Sequence, residues 1–302
     1  MAAFGDLCIV HQNDSRETEI LISKAVKLGY ETIAISSTFL LTNNKKTKLK
    51  TSCPPPINWN EIPAVKTLKA KNKNLKILSR LTVPLEENSQ MHQLATDTVL
   101  SYDILAVRPA SDKLFQQCCG SLDVDIISID MTSRLPFYIK LPQVKQAIER
   151  GIHFEIVYSP AIRDNTQRRY IMSNAMELVR ASKGRNVIMS SEAENQIDLR
   201  GAYDVANLGM LFGLKEEQCK AAVSRNVRAV LYHAQARRST EKSTIGGCLI
   251  SSVKSGLQKM GKKREMENER EGVDCNESLI TSGKRNRNEE EIPPKKKQKS
   301  LK

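Results

Sequence analysis

The chain has 302 residues, 27% charged and 40% hydrophobic, with a formal net charge of +13. This balance predicts a soluble globular body and excludes fibrous and collagen-like classes. No apolar run approaches the roughly 18 residues needed to span a bilayer, and the opening MAAFGDLCIVHQND lacks the flanks of a signal peptide.

Seven cysteines without paired spacing fit a reducing compartment better than a disulfide framework. The 66 residues after Ala236 hold 17 Lys/Arg and 10 Asp/Glu, so +7 of the net charge lies there and +6 in the body. Both parts being basic points to a polyanionic partner, nucleic acid or an acidic membrane surface. The tail shows no amphipathic basic helix, so no membrane partner is expected.

Short β-type runs recur along the chain: Leu7–Val10, Thr32–Ile35, Lys76–Leu81, Ile104–Val107, Ile126–Ile129, Phe154–Val157, Asn186–Met189 and Ala229–Tyr232. Helical patterns separate them. Ile20, Ile22, Ala25, Val26 and Leu28 follow the first run, with Asp14 and Glu17 spaced as a capping box and Gly29 as the stop. Thr42 to Lys73, with Pro54-Pro55-Pro56, reads as a long loop containing one short helix. Met172, Ala175, Met176 and Val179 follow i, i+3, i+4, i+7 after Asp164 and Gln167, a second capping-box pair, so a helix is expected from Asn165 to about Gly184. Eight strands alternating with helices predict an α/β fold, a (β/α)8 TIM-like barrel over residues 1–254; an open doubly wound sheet would accept the same alternation. Residues 255–302 form a basic tail of disordered composition, and Ile245 to Met260 is expected to pack a turn or strand on the body.

In such a barrel the reacting groups lie where strands end. Those positions hold His11, Ser36, Arg80, Arg108, Asp130, Tyr158, Ser190 and His233. A metal hydrolase would show clustered histidines and carboxylates there. Only four histidines exist and none is paired at ligand spacing, so no catalytic residue and no metal ligand is assigned. A metal-dependent phosphoesterase built on His11, Asp130 and His233 is the alternative. What does recur at strand ends and helix starts is arginine. Arg80 and Arg108 end two strands; Arg163, Arg168 and Arg169 follow a third; Lys183 and Arg185 lie at the far end of the helix that follows, and Arg200 precedes Gly201. Guanidinium forks beside free helix N–H groups suit phosphate. In the tail, Lys284-Arg285, a gap, then Lys295-Lys296-Lys297 and Lys299 approximate a two-part nuclear import signal.

FEIVYSPAIRD, RRY, KGRNVIMSS and RGAYDVANLGMLFGL, all between Phe154 and Leu214, together resemble the thirty-kilodalton protein subunit of ribonuclease P. MAAFGDLCIV and KILSRLTV fit more loosely, and the resemblance spans roughly residues 1 to 255. It implies a barrel-like fold and a role in a ribonucleoprotein that removes 5′ leaders from precursor tRNA. It also implies a catalytic RNA carrying Mg²⁺, a smaller ferredoxin-like protein partner, a shared place in RNase MRP, and residence in the nucleus and nucleolus. No cofactor is expected on this chain. The RNA contacts carried over are Arg163, Arg168, Arg169, Lys183, Arg185 and Arg200, with Arg80 and Arg108 added from position alone. In RGAYDVANLGMLFGL, Tyr203, Leu208, Leu211 and Phe212 are either core or a partner-binding face.

Overall fold

In a computed structural model of the chain, residues 3–12, 15–40, 53–241 and 245–246 are described. The elements run β1 Phe4–Val10, α1 Ser15–Lys27, β2 Tyr30–Thr38, α2 Pro63–Lys71, β3 Lys76–Leu85, α3 Asp97–Leu100, β4 Ile104–Pro109, α4 Asp112–Gly120 and β5 Ile126–Ser128. They continue with α5 Leu141–Glu149, β6 His153–Val157, α6 Ser159–Arg163, α7 Asn165–Ser182, β7 Val187–Ser190, α8 Ala202–Leu211, α9 Glu216–Ala222 and α10 Arg225–Ser239. The compact unit spans Met1–Gly247. The tail with its import signal, and Asp14 of the first capping box, lie outside the described residues.

β1 to β7 form one parallel sheet in sequence order. Parallel strands flanked by helices are buried on both faces, which is why they read as nearly continuous apolar runs. The fold is a TIM-like barrel, but among the described residues its wall has seven strands. The segment Ala229–Tyr232, expected as the eighth strand, lies inside α10. Its apolar residues belong to the helical stripe Val227, Val230 and Ala234, which packs with Leu7, Ala34, Ile104, Ala106, Ile126 and Ile188. α10 therefore closes the N-terminal end of the lumen instead of completing the wall. Gly5 shows how close this approach is, because a Cβ there would meet Val227 Cγ1 at 2.6 Å.

The gap between β7 and β1 is closed by the loop after β7. Ile9 and Ala193 form an isolated parallel bridge, the Val10 N–H donates to Ala193 O at 3.1 Å and the Glu192 N–H to Cys8 O at 2.7 Å. The Ser191 N–H donates to Asp6 Oδ1 at 3.1 Å and its hydroxyl to Cys8 O at 3.1 Å. Asp6 Oδ2, by contrast, is buried with no hydrogen-bond partner, and burial raises this carboxyl to about 6.

Of the long stretch Thr42 to Lys73, the described residues from 53 onward hold one short α-helix, α2, after a 3-10 turn at Trp59–Glu61. The stretch Ile245 to Met260 is described only at Ile245–Gly246, which pair antiparallel with Thr240–Glu241.

Candidate nucleic-acid interface

The C-terminal ends of β4 to β7 open on a cleft of about 420 Å³ lined by Arg108, Asp130, Arg163, Asp164, Glu192 and Glu194, among others. Its two arginines are already paired with carboxylates. Arg108 Nη2 lies 2.6 Å from Glu192 Oε1, both about a quarter exposed. Glu192 holds a positive φ of 52°. Burial of Arg108 opposes its charge, and Glu192 beside it outweighs that and raises its pKa. Arg163 ends α6 and reaches Glu194 at 3.0 Å and the nearly buried Asp198 at 3.7 Å.

α7 starts at Asn165 behind the cap Asp164 as the sequence predicts, but the Gln167 half of the capping box is not made, because the Asp164 N–H donates to Pro160 O at 3.1 Å. Asp164 caps it by accepting from the Thr166 and Gln167 N–H groups at 2.5 and 3.2 Å. The two following arginines then part company. Arg168 Nε donates to Ala161 O at 2.6 Å and Nη2 to Ile162 O at 3.3 Å, satisfying carbonyls at the end of α6. Arg169 is exposed, and its side chain bonds to no described residue. Arg200 is half-buried, its Nη1 donating to the Ile197 and Leu199 carbonyls. The backbone of Arg200 is also held, its N–H donating to the Tyr158 hydroxyl and its O accepting from that of Tyr30.

Arg80 is not at a strand end and not at the surface. β3 runs four residues beyond the Leu81 expected as its end, so Arg80 falls mid-strand and points into the lumen, 0% exposed. Both guanidinium forks engage Glu155 of β6, at 2.5 and 2.6 Å; Nη1 also donates to Leu7 O at 2.8 Å and Nε to Thr82 Oγ1 at 3.0 Å. Burial alone would raise the Glu155 carboxyl, and Arg80 overrides this to hold it below the ordinary glutamate range. Arg80 is a lumen residue, so its assignment to RNA is withdrawn.

Lys183 and Arg185 fall on the opposite end from Arg168 and Arg169. α7 has 18 residues, about 27 Å at 1.5 Å per residue. Lys183 ends it in the left-handed region at φ 56°, and Arg185 precedes β7 at the N-terminal end of the barrel. The eight basic positions thus form no single patch.

On α8, Tyr203 and Leu211 are 67% and 57% exposed and Leu208 is half-buried. Leu208 and Leu211 border an apolar groove with Ile162, Arg200, Asp204 and Asn207, while the Tyr203 ring stands edge-on to Phe4. Phe212 is 3% exposed and packs in the main core, so it is removed from the candidate partner face.

The triad of the alternative hydrolase does not assemble. His11 and Asp130 lie near the C-terminal ends of β1 and β5, whereas His233 is on α10 at the other end. His11 is held by Thr18 Oγ1 at 3.2 Å and stands edge-on to Trp59. Asp130 Oδ1 accepts from Thr132. Ser190 and Ser191 are buried, so neither offers a surface hydroxyl to phosphate. Among the described residues no three His, Cys, Asp or Glu are grouped to hold a metal ion. The group that sequence reasoning missed is Asp125, His233 and Arg237, brought together from positions 108 and 112 residues apart.

A family model described as RNase P subunit p30 matches residues 3–239. The chain is 44% identical to mouse "Ribonuclease P protein subunit p30" over 258 residues, 84% of this chain and 92% of that one. It is 30% identical to the "Ribonuclease P/MRP protein subunit RPP1" of Saccharomyces cerevisiae over 171 residues, 57% of this chain and 58% of that one. A chain in a cryo-EM structure of archaeal ribonuclease P with mature tRNA superposes with a TM-score of 0.60 at 16% identity, covering 81% of this chain and 97% of that one. This last likeness bears on the fold alone.

Proposed function

Because this chain belongs to the RNase P subunit p30 family, we propose that it serves as a noncatalytic scaffold holding structured RNA in the ribonuclease P particle. The same reading extends to RNase MRP, since the yeast relative carries both names. On this reading the particle's RNA cleaves the 5′ leader of precursor tRNA with its own Mg²⁺, and the chain supplies charge and shape. The observation that carries it is the start of α7. There the exposed, uncommitted Arg169 stands beside Arg168 and Arg163, on the end of the barrel where strands give way to loops. The mouth carboxylates Glu192, Glu194 and Asp198 are each within ion-pair distance of Arg108 or Arg163, which suits an electrostatic frame better than general acid–base work.

The exposed Tyr203–Leu211 face of α8 is where a smaller ferredoxin-like subunit would dock, with apolar side chains flanked by Arg200 and Asp204. The basic clusters at Lys284-Arg285 and Lys295–Lys299 would direct the chain to the nucleus and nucleolus. The purified chain should not cleave precursor tRNA with Mg²⁺, Mn²⁺ or Zn²⁺, and adding it to the other particle components should raise their cleavage activity. Turnover by the chain alone that His11→Ala or Asp130→Ala abolishes would sink the scaffold reading. RNA crosslinks mapped in the assembled particle should fall on the peptide containing Arg163 to Arg169.

A further inference from the structure

The N-terminal end of the barrel has its own cavity of about 660 Å³, within the range of small-ligand sites. Gly151, His153, Arg185, Asn186, Arg225, Asn226 and His233 line it, together with a single carboxylate, Glu217. From this geometry we propose that the cavity is a second RNA site, which takes one nucleotide of a single-stranded segment about 27 Å from the start of α7.

Two features separate it from an incidental dent. First, its cations are unspent. Arg185 and Arg225 are exposed and their guanidinium groups bond to no described residue, unlike those of Arg108 and Arg163 in the opposite cleft, so both forks are available to a phosphate. Second, its floor is built and aimed. His153 is 4% exposed, and its Nδ1 meets the Gly151 carbonyl at 3.0 Å. A carbonyl only accepts, so Nδ1 carries the proton and Nε2 is left as an acceptor. Burial lowers this imidazole to about 4, which keeps it an acceptor at neutral pH.

His233 is oriented by Asp125, whose Oδ1 lies 2.8 Å from its Nδ1 and which Arg237 also holds at 3.0 Å. Gly151 has φ +81°, and a Cβ there would lie 3.1 Å from the His233 ring, so His233 packs over a position that favours glycine. Asn186 and Asn226 each commit one amide N–H, to the Ile152 and Val187 carbonyls, which fixes the amides and leaves their oxygens as acceptors.

The site therefore offers guanidinium donors on its rim and imidazole and amide acceptors on its floor. An inorganic anion would use only the first. A nucleotide uses both, presenting phosphate to the arginines and base N–H or ribose hydroxyl to the acceptors. Glu217 adds one more acceptor and discourages a ligand that is anion alone.

The test uses the purified full chain, whose four histidines give separable imidazole NMR signals, and a 5′-phosphorylated single-stranded hexaribonucleotide. The His153 and His233 signals should shift on titration while those of His11 and His92 stay in place. Arg185→Ala with Arg225→Ala should abolish those shifts and weaken binding at this site about tenfold or more, as expected for losing two charge-assisted contacts. Arg168→Ala with Arg169→Ala should leave the shifts intact, so failure here is distinct from failure of the α7 reading. RNA that binds the chain while His153 and His233 stay unmoved would overturn the proposal. So would inorganic phosphate that produces the same shifts with the same affinity, which would make this a plain anion site.

Discussion

The barrel lumen and the start of α7 both draw on arginine, and they use it in opposite ways. In the lumen, Arg80 has no solvent and every bond it makes is internal: two to Glu155, one to Leu7 O and one to Thr82 Oγ1. At α7, Arg169 has solvent and no internal bond, and Arg168 has both. Taking a guanidinium out of water costs several kcal/mol, which only a well-placed carboxylate and further hydrogen bonds can offset. Arg80 is therefore fixed by what surrounds it, whereas Arg169 remains available to whatever binds. The contrast separates charge that holds the wall of the fold from charge presented to a partner.

The sharpest way to break that contrast is to remove one member of the lumen pair. Arg80→Ala should strand a buried Glu155 and Glu155→Ala a buried guanidinium, each costing about 3–5 kcal/mol of stability. The double replacement Arg80→Met/Glu155→Leu removes both charges and should lose far less, chiefly the bond to Leu7 O. Denaturant midpoints measure this. If the singles melt like the parent, the lumen pair does not hold the barrel; if the double is as damaged as the singles, stranded charge is not the reason.

Neither arginine's fate was equally legible beforehand. The cap at Asp164 and the start at Asn165 could be read because they depend on residues a few positions apart. The position of Arg80 depended on where β3 stops. Thr82 and Val83 continue its β-branched run to Leu85, and ending the strand at Leu81 turned a lumen residue into a surface one. α10 was misread for a related reason: the short run Ala229–Tyr232 looks β-like until Val227, Val230 and Ala234 are seen as one helical stripe. The division of the basic residues between two ends follows from the 18-residue length of α7, and the helical pattern already places Lys183 and Arg185 at its far end. The Asp125–His233 pairing could not, since nothing local links positions 108 residues apart.

A second prediction sharpens the buried side of the comparison through pH, at the seam between β7 and β1. Asp6 titrates at about 6 in the fold because burial disfavours its anion. The raised value means the neutral acid is the better-folded form. Its contribution is complete below the unfolded value near 3.8 and is lost as pH rises through about 6. The loss should amount to about 2–3 kcal/mol by pH 7. Asp6→Asn keeps an oxygen for the Cys8 and Ser191 N–H groups and cannot ionise, so melting temperature against pH should flatten between pH 4 and 7. An unchanged slope would place the titrating group elsewhere.

The smallest expected effect on stability lies at α7, where the two neighbouring arginines should split. Arg168→Ala deletes donors to the Ala161 and Ile162 carbonyls at the end of α6. It should cost about 1 kcal/mol, the usual net worth of such bonds. Arg169→Ala deletes no described contact and should leave stability within about 0.5 kcal/mol. Binding should divide the other way. An arginine whose guanidinium is free to meet phosphate releases about one counterion, so Arg169→Ala should lower the slope of log K against log salt by roughly 0.9 for a duplex or 0.7 for a single strand. Arg168→Ala should lower it by less, because its Nε and Nη2 already serve the chain and only Nη1 is unspent. Arg169→Lys keeps the charge but not the fork, and should fall between parent and Ala in affinity while restoring the slope. Salt titrations of the single variants against the cognate RNA read all of these. Equal slopes for the two Ala variants would mean that the tie from Arg168 to α6 gives way when RNA arrives, and that both arginines belong to the interface.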